Sequence, residues 1–259
     1  MTTRFGVTRP TEDDIRRGEF STPWDAPMIP PFPFRFRDVE ILTLYWRTEP
    51  GAREFLLPPP MDTTGDDVAC VHIYRMHDPA WLGPYGEANI MFGARIGERE
   101  GAYSPWLVLS SDMGVAHGRE VHGQPKKLGE PRIETRGDLI VGTVERNGID
   151  VITGTMGFKQ TPCDPDEMKP WFDYVTNLNL KAVNHIDGRP AVRQITSRKL
   201  VDVVLHEAWR GPCTVELRPN AQLPVFRLPV VEPLEGFYWR ADFTLAAGEI
   251  LHDYLGDGA

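Results

Sequence analysis

The stretch LIVGTVERNGIDVITGTMGF, residues 139–158, limits the fold more than any other part of the chain. Two runs rich in β-branched residues flank Asn147-Gly148. Asn and Gly both accept positive φ, which a two-residue type I′ turn requires at its two central positions. The segment therefore predicts a β-hairpin, and hairpins join antiparallel strands. The runs VEILTLYW (39–46), VACVHIYRM (68–76), NIMFGARI (89–96), WLVLS (106–110), LVDVVLHEAW (200–209) and TVELRP (214–219) add further strands.

One stretch is helical by pattern. Ser110, Ser111 or Asp112 can cap it, and Met113, Ala116 and Glu120–Val121 follow at a spacing near 3.6. Gly123 suits the position just past its end, and Pro125 forbids continuation. Upstream, STPWDAPMIPPFPFRF (21–36) is too rich in proline for a helix and reads as extended and packed. No repeat, low-complexity tract or linker divides the chain. The expectation is a polar arm over 1–20 and a single β-rich α+β domain over 21–259.

Charge removes whole classes of function. Lys and Arg number 28 against 37 Asp and Glu, a net charge of −9. That balance lacks the basic face that nucleic acid or an anionic membrane needs. No stretch approaches the roughly 20 apolar residues of a membrane helix. The opening MTTRFGVTRP has no apolar run, so no signal peptide is expected. Cys70, Cys163 and Cys213 are scattered without a CxxC pair, as in a reduced, cytoplasmic protein.

Lys126 and Lys127 stand side by side after Pro125. In an extended segment neighbours point to opposite faces, so one lysine faces in and the other out. A surface turn would explain the pair. A buried lysine that loses its proton would explain it as well, and would be a nucleophile toward carbonyls. Neutrality near pH 7 costs about 4–5 kcal/mol against the ordinary lysine value. A second ammonium at short range supplies about 2–4 kcal/mol, and burial alone can supply several. Because the strand splays the two head groups apart, burial is the larger expected effect.

The stretch GRE…QPKKLGEP (118–131) resembles the acetoacetate decarboxylase superfamily. So do YRMHD (74–78), LGPYGEAN (82–89), LIVGT…TGTMGFK (139–159), VDVVLHEAWRGP (201–212) and the tail AD…L…E…HDYL, all in the same order. That family is itself a known example of a lysine activated by desolvation or a cationic neighbour. The resemblance implies a cone-like, mostly antiparallel β-barrel with few helices around an apolar pocket, and a homo-oligomer. It implies that Lys126 forms a Schiff base, with Lys127 as its neighbour and Glu87 as the active-site glutamate. No cofactor beyond the covalent lysine imine is implied.

Three positions depart from the family pattern. Its arginine falls on Val39, with Arg37 two residues earlier as the candidate replacement on the same strand face. Its second pocket glutamate is His72, and the tyrosine before Pro-Lys-Lys is Gln124. With Arg37, Gln124 and His72 as substrate-binding groups, the expectation is an imine-forming lyase acting on a small oxo acid. Aldolase-dehydratase or hydratase chemistry on a 2-oxo acid such as pyruvate leads. Decarboxylation of acetoacetate or another β-keto acid is the first alternative, and a non-catalytic carbonyl-binding cup the second. No metal is expected: His206-Glu207 lacks the second histidine of a zinc helix, where Arg210 stands, and His117 and His122 are five apart.

Overall fold

The computed structural model describes residues 3–4, 6–19, 21–29, 31–79 and 82–256. Within the expected polar arm, Thr3–Arg4 pairs with Val7–Thr8, and a short helix α1 runs over Glu12–Arg17. Thr11 caps α1, accepting from the Asp14 backbone while the Asp14 carboxylate accepts from the Thr11 backbone.

The main strands are β1 (Phe34–Arg47), β2 (Val68–Met76), β3 (Tyr85–Ile96), β4 (Arg99–Leu109), β5 (Lys126–Leu128) and β6 (Glu130–Arg136). Then come β7 (Leu139–Arg146), β8 (Ile149–Gly157), β9 (Thr176–Asn184), β10 (Pro190–Gly211), β11 (Cys213–Leu217), β12 (Glu232–Leu245) and β13 (Glu249–Asp253). Pairing runs β1–β2–β3–β4–β9–β10–β12 and returns to β1, a closed ring. Every contact in the ring is antiparallel except β4–β9. This is the closed, mostly antiparallel β fold that the sequence resemblance implies.

A second sheet, in the order β6–β7–β8–β11, lies against the outside of the ring. It contains the expected hairpin, with Asn147 at φ 56° and Gly148 at φ 76°. On β2 the two environments alternate. Val68, Cys70, Tyr74 and Met76 pack in one buried cluster, and Ala69, Val71 and Ile73 in the other. A strand covered on both faces reads as a nearly continuous apolar run, which is why VACVHIYRM shows no polar alternation. Each large side chain buried this way contributes about 1.5–3 kcal/mol, a reserve against which the fold can bury charge near its centre.

The helix α2 spans Asp112–His117, capped by the Ser111 side chain. It widens into one π-type turn, Gly118–His122, and ends at Gly123 in the left-handed region (φ 76°). The turn aims the chain into β5, which lies parallel to β4 with Lys126 opposite Leu107. Among the described residues, no helix is long and apolar enough to cross a membrane.

Candidate active site

Alternation along β5 separates the two lysines. Lys126 points inward and is 5% exposed, while Lys127 points out and donates to the Gln222 carbonyl at 2.6 Å. The inward lysine reaches a small cavity between the ring wall and α2. Phe36, Tyr74, Met76, Leu82, Tyr85, Glu87, Gln124 and Arg198 are among the residues that line it. The cavity is small, about 30 Å³. A wider surface groove of about 690 Å³ shares only Met76 and Tyr85 with it.

Lys126 Nζ donates to Glu87 Oε2 at 3.1 Å, and Glu87 is 6% exposed. Glu87 lies on β3, paired with Tyr74 on β2 and Leu109 on β4. Two ring strands therefore fix its backbone on either side. Burial is the largest influence on the Lys126 ammonium and pushes it below the ordinary value. The Glu87 carboxylate opposes this, and the positive charge of Arg198 adds to it. Lys127 is not among the groups that act on Lys126. The expected dominance of burial holds, but the cationic neighbour is Arg198, and the head group of Lys127 is turned away.

Arg37 does not reach the cavity. Between the pairs Phe36–Phe243 and Val39–Ala241, two residues of β1 oppose the single Asp242 of β12. This bulge puts Asp38 at φ 51° and lets its backbone donate to Asp242 at 2.8 Å. The extra residue reverses the side-chain parity. Arg37 is left exposed while Val39 is buried. Strict alternation put the two on one face, and a bulge is what alternation does not foresee.

His72 is buried, one step along β2 from the cavity. Its Nδ1 lies 3.0 Å from the Tyr74 hydroxyl, and its ring meets Tyr174 edge-on at 4.4 Å. Burial holds its pKa down to about 3, so it is neutral near pH 7. It touches the site only through Tyr74, which lines the cavity. Gln124 does line the cavity and is 2% exposed.

The structure thus brings Lys126, Glu87 and Gln124 together, sets His72 behind Tyr74, and leaves Lys127 and Arg37 outside. It adds Arg198, from β10, which the sequence reading did not single out. Thr196, Arg198 and Leu200 alternate along β10 with Arg198 and Leu200 toward the cavity. That period-2 pattern is present in TSRKL, but the polar stretch 190–199 hid the first half of a long strand. Among the described residues the guanidinium makes no hydrogen bond or ion pair. Burial lowers its pKa, and Tyr74 and Glu87 oppose that shift.

A small, largely apolar chamber with an inward amine, a carboxylate touching it and an uncommitted guanidinium can condense a keto acid. In such a chamber an amine can attack a carbonyl, a carboxylate can move protons, and a guanidinium can balance an anion.

Known proteins resemble this chain over nearly its whole length. The family model described as acetoacetate decarboxylase matches residues 20–255. The chain is 35% identical over 243 residues to acetoacetate decarboxylase 1 of Bradyrhizobium diazoefficiens, covering 94% of this chain and 96% of that one. It is 36% identical to the acetoacetate decarboxylase of Acidiphilium cryptum over 93% of this chain and 98% of the relative. The crystal structure of acetoacetate decarboxylase from Legionella pneumophila superposes with a TM-score of 0.86 at 28% identity, covering 96% of this chain and all of that one (100%).

Proposed function

The chain belongs to the acetoacetate decarboxylase family, and on that premise we propose that it removes CO₂ from a small β-keto acid through an imine on Lys126. The carrying observation is the buried Lys126–Glu87 contact of 3.1 Å in a cavity that also holds the uncommitted Arg198. The names of the full-length relatives favour decarboxylation over condensation with pyruvate.

The steps follow from the groups present. Neutral Lys126 Nζ attacks the ketone carbon, and Glu87 passes the protons that turn the resulting hydroxyl into water. The product is a protonated imine. The bond between the α-carbon and the carboxylate then breaks, and its electron pair moves into the imine to give a neutral enamine and CO₂. One proton adds to the enamine carbon, and water releases the ketone. The sum is β-keto carboxylate plus one proton to ketone plus CO₂.

Charge balances at each stage. With the iminium and Arg198 positive, and Glu87 and the substrate carboxylate negative, the cavity is neutral. It is neutral again once CO₂ has left and the enamine faces Arg198 and Glu87. Arg198 brings the anion in and helps keep Lys126 unprotonated. It loses its partner as the carboxylate becomes CO₂, so it lowers KM more than it raises kcat.

One observation favours a second reading. A guanidinium does more for a reaction in which the carboxylate stays, as in aldol-type or hydration chemistry on a 2-oxo acid. The test is a pair of assays on one preparation: CO₂ release from acetoacetate, and enone formation from pyruvate with an aldehyde. The proposal expects the first, and expects Lys126→Arg to abolish it. Enone formation with acetoacetate inert would reverse the order of the two readings.

A further inference from the structure

Gln124 ends a buried chain of amides. Asn177 Nδ2 donates to the Ala102 carbonyl at 3.1 Å and lies 2.6 Å from Ser104 Oγ. A carbonyl only accepts, so this contact fixes which end of the Asn177 amide is nitrogen. Its oxygen is then left to accept from Gln124 Nε2, at 3.4 Å. That in turn fixes the Gln124 amide, with Oε1 at the other end. Among the described residues Oε1 has no donor, and it has almost no exposed surface. Asn177 and Ser104 are each 1% exposed, so the chain is built into the interior.

The position of Oε1 can be read from Gly118. A Cβ placed on Gly118 would lie 3.0 Å from Gln124 Oε1 and 2.6 Å from Lys126 Cε. The free acceptor and the end of the lysine stem therefore border the same bare patch of backbone. A buried acceptor without a donor costs about 1–3 kcal/mol, which a ligand that brings a donor recovers.

Acetoacetate brings none that lasts. Its ketone and carboxylate only accept. The N–H of its protonated imine falls to Glu87, already 3.1 Å from Nζ. Arg198 serves the carboxylate. One acceptor is left over near the end of the lysine stem.

Resting on the imine reading above, we propose that the preferred substrate is a β-keto acid carrying a hydrogen-bond donor, most simply a hydroxyl, next to its ketone, and that Gln124 Oε1 accepts from it. Gln124 is then a specificity-determining residue. Asn177 and Ser104 are positioning residues that hold its amide the right way round.

The test compares 4-hydroxy-3-oxobutanoate with 3-oxopentanoate, which sets a methyl where the first has its hydroxyl. Wild-type enzyme is expected to favour the hydroxylated acid by about tenfold or more in kcat/KM. Gln124→Leu is expected to bring the ratio to about one, whatever it does to the absolute rates. Gln124→Met serves if the leucine variant does not fold, and the wild-type ratio decides the substrate class by itself. Borohydride trapping on Lys126 runs alongside with each acid. Trapping and equal turnover of both overturn the donor inference and leave the imine reading standing. A preference that survives Gln124→Leu overturns the role of Gln124. Absence of trapping with either acid sinks the imine reading, and this inference with it.

Discussion

Burying an amine and setting a carboxylate against it pull its titration in opposite directions. In Lys126 burial is the larger pull, Glu87 resists it, and Arg198 reinforces it. The reactive form is the free amine, so imine formation rises with pH through the lowered Lys126 pKa. Glu87→Gln removes the group that raises that pKa, so the acid limb of the trapping rate moves to lower pH. The same variant loses about a hundredfold or more in kcat, because a positioned proton carrier is gone. Arg198→Met removes a group that lowers the pKa, so its limb moves to higher pH and KM rises about tenfold or more. Limbs that move the same way in both variants would contradict the charge assignment. Much of this was legible from residues alone. Strand alternation says only that one of the two lysines faces in, and the family resemblance points to Lys126 and to Glu87. Arg198 was not legible, because a charged residue amid TSRKL looks like surface until the strand it alternates on is known.

Elements decide what the residues can reach. Gly118 opens the π-type turn after α2, and its bare backbone seats the Lys126 stem. A methyl there would come within 2.3 Å of Lys126 Cδ. The flexible lysine must yield, so Gly118→Ala is expected to cost about a hundredfold in the single-turnover trapping rate. Its melting temperature should stay within a few degrees of wild type. An unchanged trapping rate would mean that the turn does not position the lysine. The hairpin at Asn147-Gly148 and the cap at Gly123 were readable because positive φ leaves a signature in residue type. The bulge at Asp38 was not, because aspartate is common in ordinary strands and loops alike. That bulge alone turns Arg37 from an inward group to an outward one. The same limit explains Glu87, which reads as a loop residue in GPYGEAN and lies on a strand.

Across the whole molecule the fold buries three histidines in their neutral forms. Burial keeps His72 and His117 near a pKa of about 3 and His122 near about 2. All three are depressed from 6.5, so below pH 6.5 the unfolded chain binds protons that the folded chain does not. Stability therefore falls as pH drops from about 6.5, and goes on falling until about pH 3, where the folded histidines begin to protonate. The slope from three histidines reaches about 4 kcal/mol per pH unit. Denaturant unfolding at a series of pH values should show it, and His122→Gln should take up about one proton fewer; an equal uptake would contradict its burial as a neutral ring. The expected homo-oligomer would appear in light scattering as a multiple of 29.3 kDa, and a monomer at assay concentration would refute it. The account rests most directly on the rate at which acetoacetate and borohydride leave a mass increase on Lys126, followed from pH 5 to pH 11. It predicts an adduct on Lys126 alone and a rate that levels off below the ordinary lysine value of 10.5. An adduct on another lysine, or a rate still climbing at 10.5, would contradict it.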